Sequence, residues 1–100
     1  MSVIRVEPRD ARAFDVEIAE ETAGDVEGRA FHFQVTVGDA ILADLALADP
    51  DQATTSALVR ESFAFLLARE PAGAILRTFD LSVIPTYFPE YVSELRPRFG

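Results

Sequence analysis

One hundred residues with no cysteine, a net charge of −8 and an apolar share of 49% describe one domain, large enough to bury a core without disulfide staples. The missing cysteine excludes a disulfide framework, a thiolate metal site and a cysteine nucleophile, and the missing lysine excludes Schiff-base chemistry and a lysine-dependent phosphate loop. Eight acids against four arginines in residues 1–30, then four aspartates and no base in residues 31–51, give the N-terminal half a negative potential, the wrong sign for nucleic acid or an anionic membrane surface.

Val3, Ile4 and Val6 predict a short first strand ending near Pro8. Residues 13–20 alternate, with Phe14, Val16 and Ile18 on one side and Asp15 and Glu17 on the other. Residues 29–37 repeat the pattern, with Phe31, Phe33, Val35 and Val37 opposed to His32, Gln34 and Thr36. A period of two marks half-buried strands, and the polar, glycine-containing residues 20–28 between them predict an antiparallel hairpin with a long tip. Residues 40–48 fit a short helix or a third strand; their alanines and leucines favour the helix.

A helix start is written in Asp49-Pro50-Asp51-Gln52, with Asp49 as cap and Pro50 at the first helical position; Thr54 or Thr55 serves equally as cap. The main helix, about 55–69, lines up Leu58, Val59, Ser62, Phe63, Leu66 and Leu67, and Phe65 widens the stripe. Ala57, Ala64 and Ala68 occupy much of the rest, so this helix calls for cover on more than one flank, by the chain's own 71–95 segment or a second subunit. Pro71 breaks it and starts a short helix over residues 72–77. Asp80 caps a turn through Ile84, and Pro89 starts a last helix, Glu90 to Leu95, that Arg96-Pro97-Arg98 ends. The expected fold is α+β: one compact domain over residues 1–100, with a two- or three-stranded antiparallel sheet packed on a main helix (about 55–69) and short C-terminal helices.

Catalytic groups are sparse. His32 is the only histidine and falls on the polar face of a strand, near Asp15 and Glu17 if the hairpin pairs. Two carboxylates and an imidazole suit acid–base work, but an open sheet face does not exclude water. Ser56, Ser62, Ser82 and Ser93 lie in no nucleophile motif. Glu20, Glu21, Asp25 and Glu27, or Asp49 and Asp51, invite a calcium reading, but the spacing of a calcium loop is missing. No cofactor or metal is called for.

The strongest interaction signal is residues 79–91, where four aromatics and two prolines share thirteen positions. Tyr87, Phe88 and Tyr91 are the candidate contact residues, because tyrosine and phenylalanine bury area at low entropic cost. Ordinary core closure is the competing reading. The run from Ser62 to Pro71, then Ala74-Ile75-Leu76, then Phe79 to Ile84 and Tyr87-Phe88-Pro89-Glu90-Tyr91, resembles a group of short uncharacterised bacterial proteins with a Phe-Leu-Leu helix, a Glu-Pro break and a Tyr-Phe-Pro-Glu-Tyr run. The resemblance implies a compact bacterial domain and transfers no activity, ligand or site. The chain is therefore expected to be a non-enzymatic cytoplasmic interaction or regulatory domain, with a protein partner or self-association, no nucleic acid and no membrane. The alternative is a small-ligand-binding domain with a pocket between sheet and helices, where His32 or a tyrosine hydroxyl supplies polarity.

Overall fold

Alternating sequence becomes sheet in the computed structural model, which describes residues 2–10, 12–20, 29–47 and 50–99. Strands β1 (Ser2–Pro8), β2 (Ala13–Glu20) and β3 (Arg29–Thr36) form an antiparallel meander. The register runs from Ser2↔Glu20 to Pro8↔Phe14, then from Ala13↔Thr36 to Glu20↔Arg29. Successive residues point to opposite faces, so this register stacks Ile4 beside Ile18 and Phe31, and Val6 beside Val16 and Phe33, on one side. Arg5, Glu17 and His32, then Glu7, Asp15 and Gln34, form matching rows on the other.

A fourth strand, β4 (Thr78–Asp80), corrects the expectation of two or three strands in a wholly antiparallel sheet. It runs parallel to β3, from Gln34↔Thr78 to Thr36↔Asp80. Three residues are too few for alternation to register in a sequence. Its direction follows from the connection, because residues 37–77 carry two helices before the chain returns to the sheet. Asp80 caps the next turn, accepting from the Ser82 N–H at 3.0 Å and the Ser82 hydroxyl at 2.6 Å, and also accepts from the Thr36 hydroxyl at 2.6 Å across the ladder. Partial burial works to raise the Asp80 carboxyl pKa, but the donors from Ser82, Thr36 and the Gly38 N–H together hold it below the usual carboxylate range.

Residues 39–44 settle as helix α1 (Asp39–Asp44). It ends without glycine: the Leu47 N–H reaches the Leu42 carbonyl at 2.8 Å and the Ala46 N–H reaches Ala43 at 3.1 Å, while Ala46 sits at φ 58°. These are the two bonds of a Schellman cap, with alanine where glycine is unstrained. An L-residue costs about 1–2 kcal/mol in the left-handed region. Ala46→Gly is therefore expected to raise stability by up to about 1 kcal/mol, part of the gain being offset by the entropy of the unfolded glycine. The readout is a higher denaturant midpoint at unchanged slope; a lower midpoint would contradict the cap.

Helix α2 (Gln52–Leu67) starts between the two expected positions, and its cap is Asp51, which accepts from the Thr54 N–H at 2.8 Å. Neither Thr54 nor Thr55 caps it, and Asp49 lies outside the described residues. Thr55, Leu58, Val59, Ser62, Phe63, Phe65 and Leu66 are buried along it. The Phe63 ring meets Phe33 at 5.1 Å and Phe79 at 5.9 Å, joining helix to sheet. On another flank Phe65 packs edge-on against Phe88 at 5.8 Å and Tyr91 at 5.2 Å. Ala57, Ala64 and Ala68 stay exposed; the chain's own C-terminal segment covers the Phe65 flank and only borders the alanine ridge, where Ala64 and Ala68 share a cleft with Leu95 and Arg98.

Beyond Pro71 the expected helix over residues 72–77 is one 3₁₀ turn, Ala72–Ala74, because Ile75 is already extended at ψ 138°. Asp80 leads into a second such turn, Leu81–Val83, and a single helical turn, α3 (Ile84–Tyr87). The last helix, α4 (Tyr91–Phe99), does not stop at Arg96 but continues through Pro97. Proline there forgoes the bond to the Ser93 carbonyl, while Phe99, half-buried against the core, rewards the extra turn. Arg69 clamps α4 to α2, with Glu90 at 3.1 Å and Glu94 at 3.0 Å.

Candidate functional site

The aromatic segment divides its three candidate residues between core and surface. Tyr91 is fully buried, and its hydroxyl lies 2.6 Å from Ser62 Oγ, so it is a core residue and its ring is closed to a partner. Tyr87 is 66% exposed, and Phe88 is half-buried. The chain between them explains the split. Phe88 leaves helical geometry at φ −130°, ψ 87°, so Tyr87 and Tyr91 belong to separate helices and not to one continuous face.

Tyr87 stands at the rim of an open, mostly apolar groove of about 240 Å³. Leu66 of α2, Leu76, Phe79 of β4, Ile84, Tyr87 and Phe88 supply most of its walls, and Glu70 is the one charged residue lining it. Leu76 on the same rim is 53% exposed. Sequence reading missed Leu76. The signal was present: Ile75 and Leu76 are adjacent apolar residues just after a helix-breaking proline, and in extended chain neighbours point opposite ways. Ile75 takes the core and Leu76 the surface.

On the opposite face, Arg5, Glu7, Asp15, Glu17, His32 and Arg77 help line a polar depression of about 670 Å³. The hairpin does bring Glu17 to His32, with Oε2 3.7 Å from Nδ1, but the imidazole side chain is 72% exposed. Asp15 is engaged by Arg9 at 3.4 Å. Three of the four candidate serine hydroxyls serve local structure: Ser62 donates to the Leu58 carbonyl, Ser82 to Asp80 and Ser93 to the Glu90 carbonyl. Ser62 lies on the core side of the sheet and His32 on its outer face, so they form no nucleophile–base pair.

Among the described residues, no group of three or more histidine and acidic side chains is placed to hold a metal ion. Of the calcium candidates, Glu21, Asp25, Glu27 and Asp49 lie outside the described residues, and Asp51 is spent on its helix cap. No described helix is long and apolar enough to cross a membrane. Compared with protein-family models, curated proteins and solved structures, the chain gives no match.

Proposed function

We propose that this chain is a non-enzymatic cytoplasmic interaction domain that binds a protein partner through the groove between Leu66, Leu76 and Phe88. One observation carries the reading: two of the three large apolar side chains exposed on the described surface, Leu76 and Tyr87, flank the same apolar groove. Isolated exposed apolar residues are ordinary, but a cluster around a concavity marks a contact site. Pro85 and Pro89 bracket Tyr87 and fix the local backbone, which lowers the ordering cost of binding. A core closed by packed phenylalanine rings needs no disulfide, in keeping with a reducing cytoplasm.

The occupant that fits is an apolar side chain of a partner segment flanked by basic residues, since Glu70 lines the groove and the chain carries a net charge of −8. The small-ligand reading ranks behind it. The groove volume, about 240 Å³, falls below the roughly 300–1,000 Å³ usual for ligand sites, and the depression around His32, large enough at about 670 Å³, is lined mostly by charged and polar residues where such sites are mostly apolar. The phenylalanine rings of residues 33, 63 and 79 fill the space between sheet and helix where such a pocket was expected.

Leu76→Ser combined with Tyr87→Ala is expected to leave the melting temperature within a few degrees, because both side chains are exposed. The same variant should weaken the partner complex, isolated by cross-linking in the native cell, by about 30-fold or more, the scale of a hot spot. Unchanged affinity, or a collapse in thermal stability, would count against the groove.

A further inference from the structure

We propose that the chain pairs with a second copy of itself along the outer edge of β1, across a twofold axis at Val6, so that two four-stranded sheets become one. β1 is an end strand in the order β1-β2-β3-β4, and its seven residues pair one-to-one with β2 without a bulge. Arg9 continues that ladder, its N–H donating to the Ala13 carbonyl at 2.8 Å. Hydrogen-bonded and non-hydrogen-bonded positions alternate along an antiparallel pair. Odd-numbered residues of β1 therefore turn their backbone groups toward β2, and Ile4 and Val6 turn theirs outward. Among the described residues, no backbone bond from outside the ladder reaches Ile4 or Val6. Sheets usually blunt such an edge with lysine, internal proline, a bulge or a very short strand. β4, at the other end, has only three residues; β1 has only Pro8, at its last position.

The charges on this edge select its occupant. Arg5 and Glu7 flank Val6 on the outer face and form no ion pair among the described residues. Any strand has a complement among arbitrary peptides, but this one is its own complement. In antiparallel pairing about Val6, Arg5 of each copy faces Glu7 of the other, once on each side of the axis. Neighbouring registers lose this. Centring on Arg5 sets arginine against arginine, centring on Glu7 sets glutamate against glutamate, and centring on Ile4 puts Arg5 opposite Val3 with no ion pair. The backbone agrees with the charges. Val6 turns outward, so the pair on the axis exchanges two hydrogen bonds, and the Ile4 N–H of each copy meets the Pro8 carbonyl of the other. Arg5 and Glu7 then hold the positions without backbone bonds, where facing side chains come closest.

The same pairing answers features the single chain leaves open. Glu7 sits directly opposite another acid, Asp15. The incoming Arg5 relieves that opposition and comes to lie between Glu7 of the other copy and Glu17, its own cross-strand neighbour. Ile4 and Val6 face the core yet are only half-buried, while Val16 and Ile18 beside them are at most 1% exposed. Pro8 and Val6 of the second copy would complete their cover. Val3, the exposed apolar side chain that the groove does not use, falls opposite Arg9 of the second copy, whose aliphatic stem can lie over it.

Sedimentation equilibrium and nitrogen-15 NMR of the intact protein test this. The wild type should dimerise with Kd below about 1 mM. As concentration rises, the Ile4 and Val6 amides should gain protection from hydrogen exchange, while the Arg5 and Glu7 amides, already bonded to β2, change little. Arg5→Glu and Glu7→Arg should each weaken self-association about tenfold or more, because each turns two opposite-charge pairs into like-charge pairs. An equimolar mixture of these two single variants should recover association as a heterodimer, and the double variant should recover it as a homodimer. Recovery requires folded chains, so unfolding cannot imitate it. Leu76→Ser with Tyr87→Ala should dimerise as the wild type does, which separates this edge from the groove. A wild type still monomeric at about 1 mM overturns the proposal. So do single charge variants that associate as well as the wild type, a mixture that associates no better than its components, or a dimer lost with the groove variant.

Discussion

Truncating Phe63 to alanine is expected to lower stability by about 3–5 kcal/mol. Phe63 is fully buried, and its ring is the joint between α2 and the sheet, touching Phe33 of β3 and Phe79 of β4. A domain of this size has about 5–15 kcal/mol to lose. At about 4–8 °C per kcal/mol, the melting temperature should fall by about 12–40 °C. The damage should also be local in character. β4 is held by three ladder positions, the Asp80 bonds and the Phe79 ring, so losing the ring should free β4 before the meander. The Gln34 amide, which donates to the Arg77 carbonyl at 2.8 Å, reports that step by hydrogen exchange. Phe63→Leu keeps most of the apolar volume and should recover most of the loss. If the alanine variant lost less than about 1 kcal/mol, Phe63 would not be the packing joint described.

That joint shows where sequence reading succeeds and where it stops. Alternation in residues 13–20 and 29–37 located both strands and the face each buries, because a period of two is repeated several times in each. The stripe from Leu58 to Leu66 located the core face of α2 for the same reason, over more than two turns. β4 repeats nothing. Its three residues are defined by where the chain returns after two helices, a long-range event with no local pattern. Asp51 was overlooked as cap because Asp49, two residues earlier, offered the same chemistry beside Pro50, and local rules do not rank the two aspartates. Tyr87 and Tyr91, four residues apart, would share a face only in an unbroken helix, and the turn at Phe88 separates them. The groove was half legible: the aromatic segment pointed to it, but Leu66, Leu76 and Phe79 come from three different elements.

Ser62→Ala is expected to destabilise the protein more than Tyr91→Phe, although each removes one hydroxyl. Ser62 Oγ lies 2.7 Å from the Leu58 carbonyl and 2.6 Å from Tyr91 Oη. The carbonyl only accepts, so the serine proton goes to Leu58, and Tyr91 must donate to the serine oxygen. Removing the serine hydroxyl strands a buried tyrosine donor, at about 1–3 kcal/mol; removing the tyrosine hydroxyl leaves Ser62 bonded to Leu58, at about 0.5–1.5 kcal/mol. The double variant should fall well short of the sum, because the stranded donor is gone. Equal single losses with full additivity would refute this direction of donation. The same hydroxyl gives the fold an alkaline limit. Burial pushes the Tyr91 pKa up; a Ser62 proton turned toward the phenolate would act against this, and the Asp80 charge adds to it. Unfolded tyrosine titrates near pH ~10. Above that pH the unfolded chain gives up its proton while the folded protein keeps it, so the unfolded state binds fewer protons and stability falls as pH rises. The contribution is fully present below pH ~10 and is lost as pH climbs toward the raised folded value. Denaturant midpoints taken between pH ~8 and pH ~11 should therefore drop more steeply for the wild type than for Tyr91→Phe, with Tyr87 common to both. Parallel curves would mean that Tyr91 titrates folded as it does unfolded, and so is not sealed in the core.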